Sequence, residues 1–317
     1  MNKAMQFIDE LIQQQALPLE YKALVEDYLW PLVQDMAMVY NRRTKTELAN
    51  KNTSPWLVGL QGTQGSGKST VCLFVKALLE KCFDLNVVIL SIDDFYKTHQ
   101  ERVALSKKIH PLLITRGVPG THDVDLAMET LNKLSNLVDG QFCSVPSFSK
   151  ILDDRSKEND WPVITNKVDV ILFEGWCMGI PHQTNTQLNK PVNKLEKNED
   201  SNALWRLFVN DNLKKDYKGL FVKLDDLIVL QAPNFNCVYQ WRLLQETKLT
   251  RQVGELESVS KTRIQTPKQI ERFISHYERL TRHALNVLPE KASWIIELDD
   301  EHNMTSLIRN KNKVRLE

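Results

Sequence analysis

Eight consecutive residues form the pattern in this sequence with the clearest chemical meaning. They read Gly62-Thr63-Gln64-Gly65-Ser66-Gly67-Lys68-Ser69, which matches the spacing G-x-x-x-x-G-K-[ST]. Glycines at these positions let backbone N–H groups turn toward one point and let phosphate oxygens come close. The pattern therefore predicts a phosphate-binding loop, in which Lys68 reaches the β and γ phosphates and the Ser69 hydroxyl binds Mg²⁺. The next hydroxyl, Thr70, is expected to support the same site.

The elements around this loop are those that would hold it in place. The apolar run Trp56-Leu57-Val58-Gly59-Leu60 precedes it and is typical of a buried strand, and a helical apolar pattern at 69–82 follows it. The dipole at the N-terminus of that helix would add to the attraction for phosphate. A simple glycine turn between a strand and a helix is the alternative, and the complete pattern in this context favours phosphate binding.

Two acidic residues follow the next predicted strand. The segment Ser91-Ile92-Asp93-Asp94-Phe95-Tyr96 comes directly after Val-Val-Ile-Leu. Ligands of open α/β sheets bind at the carboxyl ends of the strands, so carboxylates at this point can face a γ-phosphate. Asp93 is therefore a candidate base for an attacking hydroxyl group. A helix N-cap or a plain loop carboxylate is the alternative interpretation.

A further predicted strand, at 168–173, ends at Glu174-Gly175. A carboxylate that closes a buried strand after a phosphate-binding loop is well placed to bind Mg²⁺ directly or through water. Asp169 lies near the start of the same strand, so we expect it at the opposite edge of the sheet, in a structural role.

Two patterns typical of GTPases also occur. Asn166-Lys167-Val168-Asp169 reads N-K-x-D, and Asp216-Tyr217-Lys218-Gly219 reads D-x-x-G. In GTPases D-x-x-G comes first and N-K-x-D follows a strand, whereas here N-K-x-D comes first and opens a strand. The order favours solvated strand ends over guanine recognition.

Apolar runs and helical patterns alternate along most of the chain. Strands are predicted at 56–60, 87–92, 168–173 and 227–231, and helices at 69–82, 124–138, 203–215, 235–250 and 267–286. This alternation predicts the α/β fold of P-loop NTPases, with a mostly parallel sheet and helices on both faces. Residues 3 to about 42 are predicted to form two helices, the second kinked or split at Pro31. The polar stretch 183–202 is predicted to be a loop or a mobile flap.

The composition excludes several classes of protein. The 317 residues are 42% hydrophobic and 26% charged, as in ordinary globular domains. A net charge of +1 argues against a chain that coats nucleic acid or an anionic membrane. No apolar stretch approaches the roughly 20 residues of a membrane span, and Asp9 and Glu10 interrupt the place of a signal peptide. Five scattered cysteines without a C-x-x-C pair indicate neither zinc nor disulfides, so we expect a cytoplasmic protein.

The combination of motifs resembles a known group of enzymes. The phosphate-binding loop, SIDDFY and the FEG strand end are together similar to the phosphoribulokinase, uridine kinase and pantothenate kinase group of P-loop kinases. Other segments resemble the D-glycerate 3-kinase branch of that group. They are RGVPGTHD (116–123), VPSFSK (145–150) with Asp154-Arg155, FEGWCMG (173–179), VNKLE (192–196), Trp205-Arg206, Val209-Asn210, and Tyr239-Gln240-Trp241-Arg242 with Gln245-Glu246. The likeness runs from about residue 56 to residue 285.

The resemblance implies a kinase that uses ATP and Mg²⁺ to phosphorylate a hydroxyl of D-glycerate. It implies that Asp93 is the catalytic base, that Lys68 stabilises the transferring charge, and that Ser69 and Glu174 hold the metal. The candidate acceptor-binding residues are Asp94, Tyr96, Arg116, His122, Asp123, Arg155 and Arg242, and the candidate pocket walls are Tyr96, Trp176 and Trp241.

Some of these residues have two interpretations. Arg116 and Arg155 are candidate anchors for the carboxylate of glycerate, because a guanidinium matches a carboxylate through two parallel hydrogen bonds. His122 is either a hydrogen-bond partner of a substrate hydroxyl or a buried structural histidine. Arg242 is either an arginine on a lid that closes over the transferring phosphoryl group or a solvated helix charge.

We predict a helical extension, residues 1–50, packed on a P-loop kinase domain, residues 51–317. Two other functions remain open. One is a kinase that acts on another small alcohol, such as uridine or pantothenate, and a panel of acceptors would identify it. The other is a regulatory protein that binds ATP without turnover. The sequence leaves the oligomeric state and the phosphorylated hydroxyl open.

Overall fold

The computed structural model describes residues 2–49, 54–254 and 266–310. Its strands are β1 (Trp56–Gly62), β2 (Val87–Ser91), β3 (Cys143–Ser144), β4 (Phe148–Ser149), β5 (Asp154–Arg155), β6 (Val163–Ile164), β7 (Val170–Gly175), β8 (Asp226–Gln231), β9 (Trp294–Leu298) and β10 (Met304–Arg309). Its α-helices are α1 (Asn2–Gln14), α2 (Tyr21–Leu24), α3 (Trp30–Ala49), α4 (Lys68–Phe83), α5 (His99–Lys108), α6 (Val124–Ser135), α7 (Asn185–Leu188), α8 (Lys194–Glu199), α9 (Leu204–Asn212), α10 (Lys218–Phe221), α11 (Phe235–Gly254), α12 (Pro267–Ser275) and α13 (Glu278–Val287). No helix in these ranges is both long and apolar enough to cross a membrane.

The main sheet has six strands in the order β10-β9-β8-β1-β7-β2. Five of them are parallel, and β10 runs antiparallel at one edge. The predicted α/β class with a mostly parallel sheet is therefore confirmed. Leu60 and Ser91 both pair with Glu174, so the carboxyl ends of β1, β2 and β7 lie side by side. This edge of the sheet is where the candidate chemistry of the sequence comes together.

Alternating side chains of the central strands enter two different cores. Leu57, Ile171, Phe173, Leu227 and Val229 face a core formed with α6, α9 and α13. Val58, Leu60, Leu172, Ile228 and Leu230 face a core formed with α4 and the N-terminal helices. Burial on both faces explains why these strands are almost continuously apolar in the sequence. The N-terminal helices thus share a core with the helix that follows the phosphate-binding loop.

Of the kink or split predicted at Pro31, the split does not occur. The segment from Tyr21 to Ala49 is helical without interruption, and a π-helical turn (Val25–Leu29) directly precedes Trp30. The Trp30 amide donates to the Val25 carbonyl, five residues earlier. Proline has no amide hydrogen, and its ring clashes with the carbonyl four residues back, so the wider turn relieves the local conflict. The helix also continues to Ala49, past the end predicted near residue 42.

Two further predictions differ from the structure. The predicted helix 267–286 is divided into α12 and α13, whereas the predicted helix 203–215 is present as α9 and a π-helical turn (Leu213–Tyr217) that continues it. The polar stretch 183–202 contains α7 and α8, and it is fixed by Glu196, which is fully buried and paired with Arg279 at 2.6 Å. It is therefore not a simple loop. The helix α5 and the strands β9 and β10 were not predicted.

Candidate active site

The phosphate-binding loop joins β1 to α4, as predicted. Gly65 and Gly67 have φ angles of +79° and +84°, which only glycine adopts without strain. A Cβ atom on Gly65 would lie 3.0 Å from the Cβ of Trp241, and one on Gly62 would lie 2.5 Å from the Oγ of Ser66. The loop therefore requires glycine at these positions both for its backbone conformation and for its close packing.

Several polar atoms of the loop are buried without a hydrogen-bond partner. They are the hydroxyl oxygens of Thr63 and Ser66 and both amide atoms of the Gln64 side chain. Lys68 Nζ donates to the Thr63 carbonyl at 3.1 Å, so the ammonium group is folded back over the loop. Unpaired buried polar groups cost free energy. A loop of this composition fits a polar ligand such as a triphosphate.

Ser69 and Glu174 meet at the edge of the sheet. The Ser69 hydroxyl donates to Glu174 Oε1 at 3.2 Å, and Glu174 is only 7% exposed. Ser69 lies in the first turn of α4, and Glu174 lies near the end of β7, which is paired with β1. A hydroxyl and a carboxylate oxygen are the ligand types that Mg²⁺ prefers. The residues present therefore fit a magnesium ion bound jointly with nucleotide phosphates.

Asp93 lies on a 3₁₀ turn (Ile92–Phe95) that directly follows β2. The Tyr96 hydroxyl donates to its Oδ1 at 2.7 Å, and Lys150 Nζ donates to its Oδ2 at 3.0 Å. Burial by itself raises the pKa of Asp93, but the charge of Lys150 and the two hydrogen bonds outweigh it and hold that pKa below its usual value. Asp93 is therefore ionised at neutral pH, which a proton acceptor requires.

Asp94, the next residue, has a different environment. Its Oδ1 accepts a hydrogen bond from the Phe148 amide at 3.1 Å. Burial raises the pKa of Asp94 to about 6, against the effect of that hydrogen bond and with the help of the nearby Asp93 charge. Two adjacent aspartates thus have pKa values shifted in opposite directions, and only Asp93 lines the cleft described next.

A single cleft of about 670 Å³ joins these groups. Its volume is within the usual range for small-molecule sites. The lining residues that were predicted from the sequence are Gln64, Gly65, Gly67, Lys68, Ser69, Thr70, Asp93, Tyr96, Arg116, Glu174, Trp176, Trp241 and Arg242. The lining residues that were not predicted are Lys150, Leu244, Phe273, Tyr277 and His302.

Four predicted acceptor-binding residues do not line the cleft. They are Asp94, described above, Asp123, Arg155 and His122. Arg155 donates to Asp123 Oδ2 at 3.1 Å and to the Tyr96 carbonyl at 3.0 Å, while Asp123 caps α6 by accepting from the Leu126 amide. Both residues therefore brace the segment that carries Tyr96. Neither residue lines the cleft.

His122 is the fourth residue outside the lining. It is 2% exposed, its ring stacks on that of Tyr96 with centroids 4.5 Å apart, and its Nδ1 lies 2.5 Å from the Tyr217 hydroxyl. Burial lowers the pKa of His122 to about 4, so the ring is neutral at neutral pH. The structure therefore favours a buried histidine behind Tyr96 over a direct contact with substrate.

Arg116 lines the cleft but already has a partner. Its guanidinium pairs with Asp153 and lies over the Phe148 ring, 5.5 Å from the ring centre. Its backbone carbonyl accepts a hydrogen bond from the Tyr277 hydroxyl at 3.0 Å. A carboxylate ligand at Arg116 would therefore share the guanidinium with Asp153.

The residues that the sequence analysis missed come from distant parts of the chain. Lys150 lies in the VPSFSK segment that carried the family resemblance, but it is 57 residues from its partner Asp93. Tyr277 lies between α12 and α13, where a continuous helix was predicted. No local pattern connects either residue with the phosphate-binding loop.

The N-K-x-D residues are remote from this chemistry. Asn166 and Lys167 are exposed, and Asp169 accepts hydrogen bonds from the Tyr40 hydroxyl and the Asn86 amide at the opposite end of β7. This position agrees with the structural role expected for Asp169.

Comparison with known proteins places the chain among small-molecule kinases. No family model matches it. The uncharacterized kinase mug58 of Schizosaccharomyces pombe is 33% identical over 231 residues, which cover 70% of this chain and 78% of that protein. The chloroplastic D-glycerate 3-kinase of Arabidopsis thaliana is 28% identical over 264 residues, which cover 81% of this chain and 52% of that protein. The structure of a D-glycerate 3-kinase from Cryptococcus neoformans superposes with a TM-score of 0.71 at 26% identity, covering 88% of this chain and 99% of the other.

Proposed function

Because the chain belongs to the glycerate kinase-like family of P-loop kinases, we propose that it transfers a phosphoryl group from ATP to D-glycerate. The observation that carries this proposal is the convergence of Asp93, Glu174 and the phosphate-binding loop in one cleft. The choice of D-glycerate rests on two similar proteins that are named D-glycerate 3-kinases.

The nucleotide would bind at the loop. The backbone amides of residues 62–69 and the ammonium of Lys68 would hold the β and γ phosphates, with the dipole of α4 acting in the same direction. Ser69 and Glu174 would hold Mg²⁺. When bound, this ion neutralises part of the negative charge of the phosphates. The unpaired amide atoms of Gln64, which lines the cleft, support a polar ligand at this point.

Asp93 would accept the proton of the acceptor hydroxyl. The acceptor oxygen forms a bond to the γ-phosphorus as the bond between that phosphorus and the β–γ bridging oxygen breaks, and ADP leaves with the electron pair. The proton remains on Asp93 until it passes to solvent. Most of the rate enhancement in such reactions comes from positioning and electrostatic stabilisation, so the fixed orientation of Asp93 matters as much as its charge.

Arg242 would act on the nucleotide side of the same cleft. It lies on α11, with its guanidinium 5.7 Å from the centre of the Phe273 ring on α12, and its backbone nitrogen lies near Gly65. This position supports a contact with the transferring phosphoryl group. Arg116, at the Asp93 side, would hold the carboxylate of the acceptor.

The direct test is an acceptor panel. The purified protein would be incubated with ATP, Mg²⁺ and D-glycerate, L-glycerate, uridine, pantothenate or no acceptor, and the products would be identified by ³¹P NMR. We expect a phosphorylated product and matching ADP with D-glycerate well above the other reactions. Product from another alcohol alone would contradict the D-glycerate assignment. ATP binding without product from any acceptor would favour a regulatory protein.

A further inference from the structure

Among the described residues, two lysines and two arginines line the cleft, namely Lys68, Arg116, Lys150 and Arg242. The sequence patterns suggest roles for the other three but none for Lys150. It lies in the turn between β4 and β5 and lines the cleft. Its Nζ lies 3.0 Å from Asp93 Oδ2, and its side chain is 64% exposed, whereas that of Asp93 is 29% exposed. The lysine therefore reaches from solvent to a half-buried carboxylate.

The hairpin that carries Lys150 is fixed at its base. The Phe148 amide donates to Asp94, and the Phe148 ring packs edge-on against Tyr96 with centroids 5.1 Å apart. Asp153, on the other side of the turn, pairs with the buried Arg102 at 3.0 Å and with Arg116. The backbone on both sides of Lys150 is thus attached to the segments that carry Asp93 and Arg116.

The two hydrogen bonds that Asp93 accepts leave lone pairs free for a third hydrogen bond and for a proton. Tyr96 occupies one carboxylate oxygen and Lys150 the other. A carboxylate offers about four lone-pair positions, so free positions remain for an acceptor hydroxyl. Two donors on different oxygens also oppose rotation of the carboxylate about its Cβ–Cγ bond.

The charged and titratable groups that act on Asp93 come from several elements. They are Lys150 from the hairpin, Tyr96 and Asp94 from its own segment, His122 just before α6, Cys177 just after β7, and Tyr277 from the junction of α12 and α13. Burial raises the pKa of the Cys177 thiol, so it is uncharged at neutral pH. His122 is neutral, and burial raises the pKa of Tyr96 and of Tyr277, so both phenols are uncharged. Lys150 is therefore the cation of this group that contacts Asp93.

We propose that Lys150 is a positioning residue for phosphoryl transfer, which holds the Asp93 carboxylate ionised and oriented toward the acceptor and does not itself bind the acceptor. This inference rests on the proposed role of Asp93 as the base. Arg116, which stacks on Phe148 and contacts Asp153, remains the residue for the acceptor carboxylate.

The kinetic test compares Lys150→Met, Lys150→Arg and the control Lys157→Met, which changes an exposed lysine beyond the same hairpin. We expect Lys150→Met to lower kcat roughly tenfold to a hundredfold, a part of what a general base contributes, with KM for D-glycerate within about twofold. Lys150→Arg should recover most of kcat because it keeps the charge, and Lys157→Met should match the wild type. An unchanged kcat in Lys150→Met, or a raised KM for D-glycerate at unchanged kcat, would overturn the inference.

A second test does not need turnover. The carboxyl ¹³C signal of Asp93, assigned with the Asp93→Asn variant, would be titrated in the wild type, in Lys150→Met and in Lys157→Met. Burial raises the pKa of Asp93 and the charge of Lys150 lowers it. The pKa of Asp93 should therefore rise in Lys150→Met and stay unchanged in Lys157→Met. An unchanged Asp93 titration refutes the positioning role, whereas a wild-type protein that phosphorylates no acceptor refutes the proposed function.

Discussion

The two ends of the cleft, to which we assign the nucleotide and the acceptor in our proposal, are built in opposite ways. At the nucleotide end, residues 62–70, the backbone conformation shapes the site, and polar side-chain atoms are buried without partners. At the acceptor end, formed by Asp93, Arg116, Lys150 and Tyr277, each polar group is already bonded to another. One end therefore offers unsatisfied groups to a ligand, and the other offers an arranged network that a ligand must join.

This difference indicates how the two ends recognise their ligands. At the proposed nucleotide end, the unpaired Gln64 side chain lines the cleft, so a polar ligand that bonded to it would relieve a cost in free energy. A ligand at the acceptor end must share Arg116 with Asp153 and Asp93 with Lys150, so only a molecule with matching charges and geometry gains there. We expect substitutions at the two ends to affect different kinetic constants.

The largest expected effect is that of Asp93→Asn. Loss of the base should lower kcat about a thousandfold, since general bases contribute factors of about 10² to 10⁴, while the dissociation constant of ATP changes little. Steady-state kinetics and calorimetric ATP titration would measure both. The control is Asp139→Asn, at an exposed aspartate. Unchanged turnover in Asp93→Asn would move the base to another residue, with Asp94 as the first to test.

The buried pair beneath the acceptor end should have the next largest effect. Glu196→Gln leaves Arg279 buried without its counter-charge, two residues after Tyr277, and should lower the free energy of unfolding by about 3 kcal/mol. Thermal unfolding would measure it. Glu199→Gln, on the same helix, removes an exposed pair with Arg272 and should cost less than about 1 kcal/mol. Equal melting temperatures for the two variants would show that α8 does not brace the acceptor end.

A single added methyl group tests the nucleotide end. Gly65→Ala forces a non-glycine residue to a φ of +79° and brings its Cβ to 3.0 Å from Trp241. A strain of about 1–3 kcal/mol should weaken ATP binding roughly tenfold, with KM for the acceptor nearly unchanged. Gly219→Ala, where nothing lies within 4 Å, is the matched control. A variant that binds ATP normally but loses acceptor affinity would reverse the assignment of the two ends.

The smallest expected effect is that of Tyr277→Phe. It removes the hydrogen bond to the Arg116 carbonyl, which is worth about 1 kcal/mol, and should raise KM for D-glycerate a few fold without changing ATP affinity. Tyr28→Phe, in the N-terminal helical region, should leave both constants unchanged. If KM for ATP rises instead, Tyr277 belongs functionally to the nucleotide end.

The contrast between the two ends also explains what the sequence could predict. The residues of the phosphate-binding loop are contiguous in the sequence. Their pattern therefore predicts both the backbone conformation of the loop and the ligand that it binds. The parallel strands were also predictable, because burial on both faces leaves apolar runs such as those of β1 and β7. The position of Glu174 beside Ser69 followed from the general rule for the ends of parallel strands.

The acceptor end could be predicted only in part. Asp93, Tyr96 and Arg116 line the cleft as predicted, but Lys150 reaches Asp93 from a hairpin of two-residue strands that has no periodic pattern of its own. Tyr277 was missed because the amphipathic pattern of α12 continues into α13, and packing of the Tyr277 ring against Trp176 occurs at the break. His122, Asp123 and Arg155 belong to the resembling segments, yet their partners are protein groups that only the folded chain brings near them.

A crystal structure of the protein with a non-hydrolysable ATP analogue, Mg²⁺ and D-glycerate tests the central claim most directly. We expect the phosphates at residues 62–69, with a glycerate hydroxyl about 2.6–3.2 Å from the Asp93 carboxylate and facing the terminal phosphate. Phosphates bound away from this loop, or glycerate bound with its hydroxyls remote from Asp93, would contradict it.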